Sequence, residues 1–341
     1  MDLKEIRNIA REKLKGYCRV CPICNGIACA GEVPGMGGHL TGSSFKSNVE
    51  DLTKVKIRLK TIHNAKNPDL KKFNFFGTQL EIPIISAPIT GTAFNMGSAL
   101  TEEEYISSVV NGSIDAGTIA MIGDSANPAF YEIGLEILKK VNGKGVGILK
   151  PKKNNLVIDS VKKAENINAI AAGMDIDGAG LITMALQGAP VSPKPVDELR
   201  EITSSTNLPF ILKGIMTKEE AILAVEAGAK AIVVSNHGGR VLDHTESTAK
   251  ALPEIAEAVK GKIMILVDGG IRSGIDVFKM IALGADAVLI GRPVIFGAYG
   301  GSSKGVSLII ENMKNQLVQT MILTGAKDLA SINKSMISIE W

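Results

Sequence analysis

The stretch AVEAGAKAIVVS, residues 224–235, reads as the end of a helix, a glycine, an alanine and the start of a strand. Residues 280–291, MIALGADAVLIG, repeat it. In both copies the glycine suits the left-handed cap that closes a helix, because it carries no Cβ to clash there. Two copies of one helix-to-strand unit point to a chain built by repetition.

Working outward, the same theme recurs after about residue 80. Apolar runs lie at 82–87 (IPIISA), 117–122 (GTIAMI), 145–149 (GVGIL), 169–174 (AIAAGM), 209–213 (PFILK), 231–235 (AIVVS), 263–267 (IMILV) and 287–291 (AVLIG). They are continuous rather than alternating, as in parallel strands buried on both faces. Eight such runs separated by helical patterns predict an α/β fold, a closed (β/α)8 barrel of the TIM type. The rival is a doubly wound open sheet, but no GxGxxG opens the first unit. Residues 1–75 lack the repeat. They read as an N-terminal cap segment with a cysteine cluster and a Gly-rich loop at 34–44 (PGMGGHLTGSS), and residues 76–341 as the barrel. No linker composition demands a second domain.

Composition agrees. The chain has 341 residues, 45% of them apolar and 36 of them Gly, as expected of a packed α/β protein. A net charge of +3 argues against a nucleic-acid partner. No run of about 18 apolar residues predicts a membrane span. The charged start MDLKEIRNIAREKLKGYC lacks a signal-peptide core, so a cytoplasmic enzyme is expected.

In such a barrel the C-terminal strand ends carry the active site. Strand 4 ends with Asp175, strand 5 with Lys213, strand 6 with SNHGGR (His237, Arg240), strand 7 with Asp268, Gly269, Gly270 and Arg272, and strand 8 with Gly291 and Arg292. Singly, each has a bland reading: a surface lysine, a satisfied histidine, a common turn. Five consecutive ends meeting at one mouth do not. Gly269, Gly270 and Gly291 let backbone amides approach a ligand, and Arg272 and Arg292 offer planar forks for phosphate. The loops after strands 7 and 8 are the usual phosphate site, so a phosphorylated ligand is expected there.

These motifs (ILKG, SNHGGRVLD, DGGIRSGIDVFKMIALGADAVLIGRP and IPIISAPITG) resemble the FMN-dependent 2-hydroxy-acid oxidase and dehydrogenase family, which includes glycolate and lactate oxidases. The likeness runs from about residue 75 to 340 and is strongest after 205. It implies FMN as cofactor. It also implies that Lys213 sits beside the flavin, that His237 is the general base and that Asp175 pairs with that histidine. Arg240 would then clamp the substrate carboxylate. Pro88, Ile89, Thr90 and Ser235 would contact the flavin, Asp268 the ribityl chain, and Gly270, Arg272, Gly291 and Arg292 the phosphate. The implied reaction is oxidation of a lactate- or glycolate-like 2-hydroxy acid, with oxygen or a redox protein as electron acceptor. A homotetramer is implied by the same analogy.

The chain departs from the family pattern at several points. Lys150 stands where the strand-3 tyrosine is expected, and Ile148 replaces its glutamine. The second carboxylate-binding arginine is missing, since no Arg lies between 176 and 199. Tyr17 is a distant candidate for the N-terminal tyrosine. Lys150 either replaces the lost charge at the substrate or points to solvent. All four cysteines, Cys18, Cys21, Cys24 and Cys29, fall in one C-x2-C-x2-C-x4-C run that the family does not carry. An iron–sulfur cluster, zinc, and plain or redox-active thiols are all open readings. Two other functions compete with hydroxy-acid oxidation. One is an FMN barrel like the type 2 isopentenyl-diphosphate isomerases. The other is a non-catalytic FMN electron-transfer or sensor protein.

Overall fold

The computed structural model describes residues 1–70 and 73–341. Eight parallel strands close a barrel in chain order: β1 (Ile84–Ser86), β2 (Ala120–Gly123), β3 (Gly145–Leu149), β4 (Ala171–Asp175), β5 (Phe210–Ile215), β6 (Ala231–Val234), β7 (Met264–Val267) and β8 (Ala287–Ile290). Each starts within three residues of the run expected from sequence. Leu289 lies opposite Ile85, which joins β8 to β1 and leaves no open edge.

Successive strand residues point to opposite faces, and both faces are dry. Ile85, Met121, Ile148, Val233, Leu266 and Leu289 fill the inside of the barrel. Ile84, Ile122, Leu149, Val234, Val267 and Val288 pack outward under the helices. That is why the runs do not alternate. Fully burying one such side chain contributes about 1.5–3 kcal/mol. A hairpin, Phe73–Phe75 with Thr78–Leu80, sends Phe73, Phe75 and Leu80 into the inner cluster.

The helices start and stop where local chemistry directs. Ser43–Lys54 (α2) follows the N-terminal Leu3–Lys13 (α1). Around the barrel run α3 (Glu102–Asp115), α4 (Ala129–Lys140), α5 (Asn154–Asn166), α6 (Val196–Ser204), α7 (Lys218–Glu226), α8 (Thr248–Val259), α9 (Gly274–Leu283) and α10 (Arg292–Thr324), the last broken at Gly301 and Ser302. Thr101 with Glu104, and Ser273 with Asp276, form reciprocal caps that satisfy free amides at the starts of α3 and α9. The repeated glycines close α7 and α9: Gly228 has φ +85° and Gly284 φ +127°.

The first 75 residues are tied to the barrel at several points. Val55–Ile57 pairs antiparallel with Ile337–Ile339 near the C-terminus. More important for the site, residues 34–48 sit on the loop after β6. Asp243 accepts from the Thr41 amide (2.7 Å) and hydroxyl (2.6 Å) and from the Ser44 amide (3.3 Å). The His39 amide donates to the Gly239 carbonyl at 2.8 Å. Among the described residues, no helix is long and apolar enough to cross a membrane.

Candidate active site

Parallel pairing brings the last residues of neighbouring strands side by side. Asp175 lies opposite Lys213 in the β4–β5 ladder. The Lys213 ammonium reaches Asp175 (3.2 Å), the Ser235 hydroxyl (3.1 Å) and Asp268 (3.5 Å). From the end of β3, the Lys150 ammonium donates to the other Asp175 oxygen at 2.7 Å. Lys150 is 6% exposed and lines the main cavity, so the solvent-facing reading fails. Burial alone would raise Asp175. The two ammoniums beside it outweigh that and hold it well below the usual carboxylate range. Burial likewise works to strip Lys213 of its proton, and its carboxylates overcome it.

The expected pairing of Asp175 with His237 is not what the structure shows. His237 Nδ1 lies 3.1 and 3.2 Å from the two carboxylate oxygens of Asp177. Asp175, the last strand residue, is committed to the two lysines. The 3-10 turn Ile176–Gly180 then carries Asp177 over to the β6 loop. The second acid in MDID was the overlooked signal. A carboxylate against Nδ1 makes that nitrogen the proton-bearing one and leaves Nε2 basic.

His237, Gly238 and Gly239 run in the left-handed region, with φ +58°, +65° and +77°. The turn is held by Asn236, buried against Asn48 of α2. The Asn48 amide donates to the Asn236 oxygen at 2.7 Å, and the Gly239 amide donates to the same oxygen at 3.2 Å. Beyond the turn, Arg240 donates to the Gly35 carbonyl (2.5 Å) and to the Asn95 side-chain oxygen (3.0 Å). Among the described residues it has no carboxylate partner. Burial, helped by the Arg292 charge, pushes Arg240 down to about 9. A guanidinium keeps its proton even so, and the depression measures how strongly the site favours an incoming anion.

Lys150, Lys213, His237 and Arg240 line one cavity of ≈ 1250 Å3, counted with its open mouth. Pro88, Ile89 and Thr90 line it too, as do Asp268, Gly269, Gly270, Arg272, Gly291 and Arg292. Ser235 does not; it is fully buried, bonded to Lys213 and to the His237 amide, and supports those two residues instead of meeting a ligand. Gly269 and Gly270 have a packing role beyond the expected ligand approach. A Cβ on Gly270 would stand 2.0 Å from the Asn48 carbonyl oxygen, and one on Gly269 2.6 Å from the Thr248 hydroxyl. Tyr17 packs on Gly97 and lines a second, smaller cavity beside the cysteines.

Among the described residues, three side-chain atoms of the site are buried without a hydrogen-bond partner: Asp175 Oδ1, which faces the Lys213 charge, and, on the β7 side, Asp268 Oδ1 and Arg272 Nη2. Leaving such atoms bare costs free energy, so the last two point to a ligand. An acceptor at β7 and a donor beside Gly291 and Arg292 are what a ribityl hydroxyl and a phosphate require. Burial, offset by the nearby cysteines and reinforced by the Arg272 charge, pushes Arg292 down to about 10. The residues present therefore fit FMN. Sequence reasoning missed Asn95, which orients Arg240. It also missed Glu102, whose carboxylate accepts the Gly91 and Thr92 amides and fixes the β1 loop.

Barrel and site define an FMN-dependent dehydrogenase class, and comparison with known proteins agrees. The FMN-dependent dehydrogenase profile matches residues 184–339. A peroxisomal (S)-2-hydroxyacid oxidase of Arabidopsis thaliana is 30% identical over 333 residues, covering 89% of this chain and 90% of the relative. An L-lactate oxidase of Nostoc sp. is 31% identical, covering 90% and 92%. A crystal structure of mandelate oxidase superposes with a TM-score of 0.80 at 27% identity, over 99% of this chain and 98% of the other. The chain belongs to the FMN-dependent 2-hydroxy-acid oxidase family and is an oxidoreductase whose cofactor is FMN.

Proposed function

We propose that the chain oxidises a 2-hydroxy acid to the 2-oxo acid, with His237 as the base. The observation that carries this is His237 held at Nδ1 by Asp177 in a cavity that also presents Arg240. Arg240 binds the substrate carboxylate, which brings the anion that its buried charge lacks. With the carboxylate held, the hydroxyl carbon lies at His237. Nε2 takes up a substrate proton, and the Asp177 carboxylate stabilises the imidazolium that results. Bound FMN supplies the two-electron oxidising power. Lys213, buried and cationic, stabilises negative charge at the cofactor.

Lys150 adds a second ammonium to the cavity wall beside Lys213; Asp175 balances its charge, and its remaining N–H donors face the space where a substrate oxygen would lie. Phe94, Phe130, Leu181 and Met184 give that wall an apolar stretch from the segments that follow β1, β2 and β4. This favours a 2-hydroxy acid with an apolar side chain over glycolate.

The test is an anaerobic absorbance titration with glycolate, lactate, 2-hydroxyoctanoate and mandelate. Bleaching of the flavin band, strongest with the larger apolar acids, is expected. A flavin that none of the four acids bleaches would overturn the reading.

A further inference from the structure

The four cysteines take no part in the chemistry above. Cys18, Cys21, Cys24 and Cys29 are free, half-buried, and line one cavity of ≈ 360 Å3 on the same open-mouthed measure. Arg292 and Met36 line both this cavity and the active-site cavity, so they form a shared wall. The geometry points to an iron–sulfur cluster held by the four thiolates, which carries electrons from the reduced flavin to an external one-electron redox protein. The electron route rests on the hydroxy-acid chemistry proposed above; the cluster site does not.

Cys18 to Cys24 lie in a segment with neither helix nor strand, so the chain at the x2 spacings can turn three sulfurs into the one cavity that all four cysteines line. Cations gather the carbonyls of that turn. Arg7 bonds the Cys21 carbonyl, Arg11 that of Val20 (3.1 Å) and Arg272 that of Cys24 (3.2 Å). Cys29 is fixed from the other side, its carbonyl accepting from the Gly38 amide at 3.2 Å. The Val20 amide donates to Cys18 Sγ at 3.3 Å, the kind of contact that supports a metal-bound thiolate. Four thiolates bring negative charge; Arg292 lines their cavity, and Arg7, Arg11 and Arg272 hold the turn that carries them.

Spacing speaks against zinc. Tetrahedral zinc, with Zn–S near 2.3 Å, needs its sulfurs roughly 3.8 Å apart. Among the described residues, no three cysteine sulfurs come within 4.8 Å of one another. The trio of ligand atoms that does is Asp175, Asp177 and His237, and its Asp175 is already neutralised by two lysines. A [4Fe–4S] cluster, in which each iron takes one thiolate, holds its cysteines further apart.

Electrons balance as follows. Each hydroxy acid delivers two electrons and two protons. The cluster cycles by one electron, so the reduced flavin is reoxidised in two steps. Both protons pass to solvent, and two acceptor proteins gain one electron each.

The experiment is anaerobic purification of the full chain with iron, sulfide, zinc and FMN assays, followed by electron paramagnetic resonance after dithionite. About four irons and four sulfides per chain and a reduced-cluster signal are expected. Cys21→Ser and Cys29→Ser should lose iron and the signal, with retained FMN showing that the barrel folded. Wild-type protein with FMN but no iron, or with one zinc, overturns the cluster. Anaerobic addition of a 2-hydroxy acid should then raise the same signal. If the acid bleaches the flavin and no signal appears, the electron route is wrong. If the flavin fails to bleach, the fault lies in the proposed reaction, and the metal content still decides the site.

Discussion

His237 Nδ1 lies 3.1 Å from the Asp177 carboxylate, while Asp175, two residues earlier, is bonded to Lys150 at 2.7 Å and faces Lys213 at 3.2 Å. The two acids of MDID therefore have different duties. One orients His237, the proposed base; the other neutralises two buried lysines.

The first prediction separates those duties. Asp177→Asn should slow anaerobic flavin reduction by on the order of 10²–10⁴-fold with little loss of stability. Asp175→Asn should instead cost about 3–5 kcal/mol, because it leaves buried ammoniums short of a partner. Stopped-flow rates and thermal melts read both. Equal effects of the two variants on rate and melting would show that the acids are not divided in this way.

The base itself gives the second. His237→Gln should retain FMN and lose reduction by substrate, since glutamine has no basic nitrogen to take a proton at neutral pH. Flavin content and the reduction trace are measured on the same sample. Reduction at the wild-type rate would remove histidine from the mechanism.

A third concerns the phosphate end. Arg272 Nη2 is buried without a partner, so Arg272→Ala should weaken FMN retention by about tenfold or more, the loss of one charge-assisted hydrogen bond at about 1.5–3 kcal/mol. Flavin fluorescence on dilution reports the free fraction. Unchanged retention would reject Arg272 as a phosphate ligand.

The fourth is a pH effect on the cap. Burial would raise Asp243, but hydrogen bonds from Thr41, Ser44 and His244 win and lower it to about 2. Its folded value lies below its unfolded one. The stabilisation is therefore present above about pH 4, the ordinary range of a free aspartate, and lost as pH falls toward 2. Residues 34–44 should become open to an acid-active protease near pH 3, and Asp243→Asn should loosen them already at neutral pH. A loop equally protected in the variant at pH 7 would show that other contacts hold it.

The barrel was legible in the sequence because a strand buried on both faces leaves a continuous apolar run, and eight of them recur with glycine-capped helices between. The strand-end residues were legible for a related reason: a closed parallel barrel brings every C-terminal strand end to one mouth, so Lys213, His237, Arg240, Asp268 and Arg292 meet whatever the details. What only the tertiary structure decided were contacts that depend on where a chain turns after its strand. A short 3-10 turn hands the histidine to Asp177 instead of Asp175. The packing of Asn48 and Thr248 gives Gly269 and Gly270 a second reason to be glycine. The folding of residues 18–38 against Arg272 and Arg292 sets the cysteines beside the flavin site. Strand periodicity is a local property written into side-chain polarity, whereas these contacts join residues up to about 250 positions apart and are set by packing across the whole mouth.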